Sequence, residues 1–246
     1  MLQLMADLVM REIELRRVSS LCPVTGLFNR ASFFRLGEQE MERARQQGHG
    51  LFLFNFDIDD FRQINQRWGH QAGDQVLVTG IGGGVAQFAA QFALALGAKV
   101  FVSSSAPEKI SQAIDQGASA GFNYTQANWS AAALQQTGGM DLVIDGASGV
   151  TLPHLMEVCK PGARIVFYGA TRGNPGQLEA RKLFWNQLQL IGSTMGSDAD
   201  FLNMLQLVEK FKIKPVVDQC YSFAQAEAAF DRMKEGKQFG KIILVP

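Results

Sequence analysis

The chain has 246 residues, 47% of them apolar and 19% charged, which suits one large or two small globular domains with a substantial core. Its 23 basic and 23 acidic residues cancel, so no global field draws it to nucleic acid or to an anionic membrane, and any nucleotide needs a local site. Cys22, Cys159 and Cys220 stand far apart with no C-x-x-C pair, which argues against a disulfide framework or a cysteine zinc site and fits reduced thiols in a cytoplasmic protein.

Leu2, Met5, Val9 and Ile13 recur at helical spacing, predicting an amphipathic helix over 1–20 that needs its own core or a second copy as partner. Asp7, Arg11, Glu12, Glu14, Arg16 and Arg17 interrupt its apolar residues, unlike a targeting peptide, and no run reaches the roughly 20 apolar residues of a membrane span. Pro23 and Thr25-Gly26 end this helix. A second helix follows over 29–47, closed by Gly48 and Gly50, and then a buried strand over 51–56. That strand runs into Asp57-Ile58-Asp59-Asp60 and a short helix reaching about Trp68.

From Gln75 the pattern becomes a regular strand–helix alternation. Strands are predicted at 76–79, 99–103, 141–145, 163–168 and 189–193, and helices at 85–96, 107–116, 150–159 and 179–187. Such alternation makes a parallel sheet with helices on both faces. A strand near Val216-Val217, a helix over 224–235 and a last strand over 241–245 complete the chain. No low-complexity linker separates the two textures at 70–76.

The stretch from Gln75 to Ala86, QVLVTGIGGGVA, reads as strand, glycine loop and helix start. Glycines let backbone approach a pyrophosphate, and free N–H groups at the helix N-terminus meet its charge. A dinucleotide is therefore the expected partner, with a purely structural turn as the alternative. The second strand ends in Ser103-Ser104-Ser105 where an acidic residue would bind the ribose of NAD and repel a 2′-phosphate. With Lys109 nearby, unless that residue is simply solvated, NADP (NADPH) is preferred over NAD.

VLVTGIGGGVA, FVSSSAPEKI, GFNY, DLVIDGASG, KPGARIVFYGAT, QLIGSTMGS and GKQFGKIILV, in this order, resemble the C-terminal half of a zinc-type medium-chain alcohol dehydrogenase or quinone oxidoreductase, from about Gly73 to Pro246. The resemblance implies a Rossmann-like doubly wound parallel sheet over 75–246. It implies pyrophosphate contacts from Gly80, Gly83, Gly84 and Val85, and a phosphate and ribose pocket of Ser104, Ser105, Lys109 and Tyr124. It also implies that Asp145, Gly146, Tyr168, Gly169, Ala170 and Met195 line the nicotinamide side, although Tyr168 and Met195 also read as core. A small carbonyl or quinone would be the substrate. In that family a GroES-like domain supplies the substrate cleft and any zinc ligands, and nothing in 1–72 resembles it, so zinc is not expected, no catalytic residue is assigned and activity is in doubt. A homodimer could form through the front helix or, as in those reductases, through edge strands near 189–193.

CPVTGLFNR, the strand ending at Asp57, and INQRWGHQAGD resemble the first half of a GGDEF diguanylate cyclase domain, giving an incomplete α/β segment over 21–74 behind the leading helix of 1–20. The resemblance implies that Asn65 and Asp74 touch a guanine edge and that Asp57, a hard oxygen ligand, holds magnesium on a bound nucleotide. Read alone, Asp57 and Asp74 are turn or cap residues and Asn65 a helix-surface residue. The GGDEF hairpin is absent, so cyclase activity is not expected, leaving a signalling remnant or a non-catalytic dimerisation module as alternatives. At 73–77 one family opens a helix and the other enters its first strand. The strand should win, because the sheet beyond it depends on it.

Overall fold

The computed structural model describes residues 73–246 together with Glu42, Arg43 and Gln46. Two compact units divide the chain: one comprises Asn55–Tyr221 and Gln225–Ile243, the other Met1–Phe54, Ser222–Ala224 and Leu244–Pro246. The six-stranded sheet and its helices belong to the first. Glu42, Arg43 and Gln46 are helical, inside the helix expected at 29–47, and Gln46 Nε2 donates to Glu42 Oε1 at 3.0 Å. The helix of 1–20, the strand of 51–56, Asp57 and Asn65 lie outside the described residues.

Six parallel strands form the sheet: β1 (Gln75–Val78), β2 (Lys99–Ser104), β3 (Ala120–Asn123), β4 (Met140–Asp145), β5 (Cys159–Phe167) and β6 (Gln189–Gly192), in the spatial order β3-β2-β1-β4-β5-β6. The chain winds outward from β1 to one edge, then returns past it to the other, the doubly wound arrangement. Val76 is in register with Val100 on one side and Leu142 on the other, so β1 is central. At the join Gly73, at φ +102°, donates its N–H to Gly97, and the Asp74 carbonyl accepts from Lys99 N at 2.9 Å. Residues 75–78 therefore run as strand, as the sheet requires.

Strand alternation splits the core between two faces. Val76 and Val78 point to one, with Ala86, Ala89, Ala90 and Ala93 of helix α1 (Gly84–Ala95) and Ala113 of α2 (Pro107–Asp115). The methyl-sized side chains of α1 let it lie close to the strands. Leu77 points to the other face, with Phe101, Val143, Ile165, Trp129 of α3 (Trp129–Thr137) and Leu155 of α4 (Leu152–Glu157). Leu155 is 1% exposed, so Leu155→Ala belongs to the class of core truncations costing about 2–5 kcal/mol.

Several boundaries differ from the sequence reading. The helix expected at 150–159 is a 3₁₀ turn at Gly149–Thr151 followed by α4, and its last residue starts β5. Ser148 (φ 54°) and Gly149 (φ 61°) hold left-handed backbone that blocks an earlier start, and β5 gains an N-terminal extension through the bulge between Met140 and Leu142. Strand β3 and helices α3 and α6 (Asp198–Phe211) are additional. After α5 (Ala180–Trp185) and α6, β7 (Val217–Ser222) and β8 (Lys241–Val245) pair as a separate two-stranded sheet, linked by α7 (Ala226–Lys234).

Candidate dinucleotide site

All the strands of the sheet point their C-terminal ends the same way, and crevices outside that edge are where doubly wound sheets bind ligands. β1 ends at Val78, and Gly80 turns the chain at φ +61°. Ile81 N then bonds the Ser103 carbonyl at 3.0 Å, laying the loop against the end of β2, and Gly83 N closes back on the Gly80 carbonyl at 2.9 Å. Gly83 is the N-cap of α1 and offers no side-chain acceptor, so among the described residues no side chain caps the first N–H groups of the helix. The buried Gln87 of α1 supports the turn from below, donating Nε2 to the Ile81 carbonyl at 2.6 Å.

Side chains close on this loop where a β-carbon would otherwise stand. Lys109 Nζ lies 2.7 Å from the Cβ position of Gly82, and Lys241 Nζ 2.8 Å from that of Gly84. Two ammonium groups thus stand beside a helix N-terminus that no described side chain caps, bringing positive charge to the loop. Burial lowers the pKa of Lys109, with Asp218 pulling the other way and Arg232 adding to the fall. Its ammonium donates to the Gly236 carbonyl at 2.5 Å.

At the ends of β2 and β3, Ser104 is buried and its Oγ accepts from Ala106 N at 3.1 Å, while Ser105 is exposed. Tyr124 N donates to the Ser104 carbonyl, and the Arg172 guanidinium lies 4.6 Å above the Tyr124 ring. Ser104, Ser105, Lys109 and Tyr124 are thus brought to one side of the loop. On the other side Asp145, at the end of β4, is fully buried and accepts from Thr79 Oγ1 at 2.5 Å, Ser148 N at 2.7 Å and Ala147 N at 3.2 Å. A carboxylate so committed shapes the β4 turn. Gly146 and Gly169 are needed for closeness: a Cβ on Gly146 would stand 2.7 Å from the Tyr168 hydroxyl, and one on Gly169 2.9 Å from the Gly146 carbonyl. Burial, then Asp145, pushes the Tyr168 phenol up to about 12. Ala170 is exposed at the turn after β5, and Met195, 71% exposed, projects from the irregular stretch after β6.

Asp74 belongs to a different neighbourhood. Its carboxylate lies 3.7 Å from Arg164 Nη2 at the N-terminal side of the sheet, away from the glycine loop. Among the described residues no group of three His, Cys, Asp or Glu side chains could hold a metal ion. Nor does any described helix have the length and apolarity to cross a membrane. Sequence reasoning assigned no site role to Lys241, Gln87 or Arg172. Lys241 reads as the first residue of a strand, and only the path of the chain through 236–241 carries it to the loop.

A family model for zinc-binding dehydrogenase matches residues 84–210, the stretch that runs from α1 nearly to the end of α6. The chain belongs to the zinc-binding dehydrogenase family. A zinc-type alcohol dehydrogenase-like protein of Leptosphaeria maculans is 35% identical over 185 residues, covering 70% of this chain and 51% of the relative. The quinone oxidoreductase of Mus musculus is 29% identical, covering 71% and 56%. Among solved structures an NAD-dependent alcohol dehydrogenase superposes with a TM-score of 0.69 at 32% identity, covering 75% of this chain and 54% of that one. The chain spans about half the length of the curated relatives it matches. A second family model, diguanylate cyclase GGDEF domain, matches residues 20–87 and overlaps the first by four residues, 84–87.

Proposed function

We propose that this chain binds a nicotinamide dinucleotide, NADPH in preference to NADH, as the cofactor half of a medium-chain oxidoreductase. The observation that carries the reading is the glycine loop at the N-terminus of α1, with the Lys109 and Lys241 ammonium groups standing against Gly82 and Gly84. Gly80, Gly83, Gly84 and Val85 would meet the pyrophosphate through backbone N–H groups. The preference for NADPH rests on Ser104 and Ser105, which offer hydroxyls where a carboxylate would repel the 2′-phosphate, and on Lys109 and the Tyr124–Arg172 pair beside them.

When bound, the dinucleotide supplies a hydride, and the chain's task is to orient it and exclude water. The turns carrying Asp145, Gly146, Tyr168, Gly169 and Ala170 would border the nicotinamide. Tyr168 would keep its proton in the ordinary range, since burial holds its phenol at about 12. A small carbonyl or quinone is the substrate class suggested by the relatives' names, but reduction also needs a group that holds the substrate against the ring. We propose dinucleotide binding as the role of the described residues, to which no substrate-holding group is assigned. The outer edge of β6, beside which no further described strand lies, is a candidate homodimer contact.

At the join we propose that the reductase frame prevails from Gly73 onward. Asp74 supports this: its carbonyl belongs to the sheet and its carboxylate faces Arg164, which leaves little for a guanine edge. Fluorescence titration of the whole chain with NADPH and NADH tests the reading. NADPH should bind about tenfold or more tightly. Equal affinity would remove the preference, and binding of neither would remove the proposal.

A further inference from the structure

The chain between α7 and β8 crosses the glycine loop and is tied to it at several points. Gly240 N donates to the Gly82 carbonyl at 3.0 Å, Lys109 Nζ reaches the Gly236 carbonyl at 2.5 Å, and the Gln238 carbonyl lies 3.0 Å from the Cβ position of Gly82. Phe239 packs against the alanine-rich core under α1. One side chain outside this strap fastens it. Asp218 of β7, 7% exposed, accepts from Phe239 N at 3.0 Å and from Arg232 of α7 through Nε at 2.5 Å and Nη2 at 2.9 Å. A bidentate guanidinium–carboxylate pair fixes direction as well as distance. It therefore joins the start of the strap, which leaves α7 just past Arg232, to its middle at Phe239.

We propose that Asp218 is a positioning residue for dinucleotide binding: by fastening residues 236–241 across the glycine loop it sets where Lys241 presents its ammonium group to the pyrophosphate. The inference rests on the dinucleotide reading above. Asp218 does not touch the cofactor. It acts through the Phe239 N–H, which precedes Gly240 and Lys241 by one and two residues, and its charge faces Arg232 and Lys109. Gly240 completes the arrangement: at φ +103° its missing Cβ leaves space that the Val216 carbonyl fills, so the residue just before β7 and the strap lie in direct backbone contact. Lys241 N then bonds that same carbonyl at 2.8 Å, beginning β8.

A double-mutant cycle on the whole chain tests this, with NADPH as the probe and Kd read by calorimetry. Asp218→Asn should raise Kd about tenfold, while Asp218→Glu, which keeps the charge, should stay within about threefold of the parent. In a Lys241→Gln background Asp218→Asn should change Kd less than about twofold, because the group it positions is already gone. A purely structural role would give the same factor in both backgrounds, and that result overturns the inference, as does an unchanged Kd for Asp218→Asn. Circular dichroism melts accompany each variant. If Asp218→Asn does not fold, Gly240→Ala displaces the strap from its other side, and the same comparison with and without Lys241→Gln decides. If neither variant melts cooperatively, Asp218 serves folding and the inference fails. Parent protein that binds no NADPH contradicts the proposed function, whereas a binding parent with an unaffected Asp218→Asn contradicts only this inference.

Discussion

Replacing Asp145 by alanine should destabilise the fold strongly. Its carboxylate is 0% exposed and accepts from the Thr79 hydroxyl and from the N–H groups of Ala147 and Ser148. Truncation leaves two donors buried and one, the Ala147 N–H, partly buried, each costing about 1–3 kcal/mol, while removal of a buried charge offsets part of that sum. A net loss of about 3–5 kcal/mol follows, a large fraction of the roughly 5–15 kcal/mol that holds a domain together. Ser148 makes the loss hard to absorb: it sits at φ 54°, a conformation that a non-glycine residue keeps only when its surroundings impose it. Asp145→Asn retains an oxygen for Thr79 but turns an amide donor toward a backbone N–H, so it should fall between parent and alanine. Urea unfolding followed by circular dichroism measures all three, with equal slopes confirming a common unfolded state. A loss below about 1 kcal/mol for Asp145→Ala would mean that water replaces the carboxylate freely, and the account of this turn would be wrong.

Lys109→Ala should weaken both cofactors through the lost pyrophosphate contact at Gly82, and NADPH about fivefold more than NADH, because only NADPH also brings it a 2′-phosphate; equal losses in the two titrations would assign Lys109 to the pyrophosphate alone. Cys159 should resist thiol reagents in the native protein at pH 8 while exposed Cys220 reacts, because burial, then Asp141, pushes the Cys159 thiol up to about 12, and it donates to the Leu155 carbonyl. Peptide mapping after labelling checks this. The linked stability has a definite sign: a folded pKa raised above the unfolded value gives stability fully present below about 9 and lost as pH rises towards about 12, so Cys159→Ala should flatten that part of the stability profile.

The central sheet was legible because its strands are short apolar runs bounded by glycine or polar turns, and β8 was read to the residue. β1 was legible for another reason: the glycine loop demands a strand before it, and Gln75–Val78 form that strand. The missed elements carry weaker signals. In β3, AGFN, a single buried phenylalanine gives no alternation to count. α3 opens without a side-chain cap at Asn128 and is largely alanine and glutamine. α6 could have been found: Ser197 and Asp200 form a capping box ahead of Phe201, Leu202 and Leu205, but that apolar side is exposed in these residues, so no core partner advertises it. Glycine positions marked the loop itself. Lys241 was not legible as a site residue, because its nearness to Gly84 depends on a chain crossing separated from the loop by over 150 residues.

The most direct measurement of the central claim is calorimetric titration of NADPH into the whole chain and into Gly83→Val. Gly83 has ordinary extended backbone (φ −77°, ψ 146°), and its Cβ position meets only the Gly80 carbonyl, at 3.4 Å, so valine is tolerated by the fold while filling the space a pyrophosphate needs. The parent should bind one NADPH per chain, and the variant should melt within a few degrees of it yet bind at least about tenfold more weakly. Equal affinity in the two proteins, or no binding to the parent, would contradict the assignment of the glycine loop as a dinucleotide site.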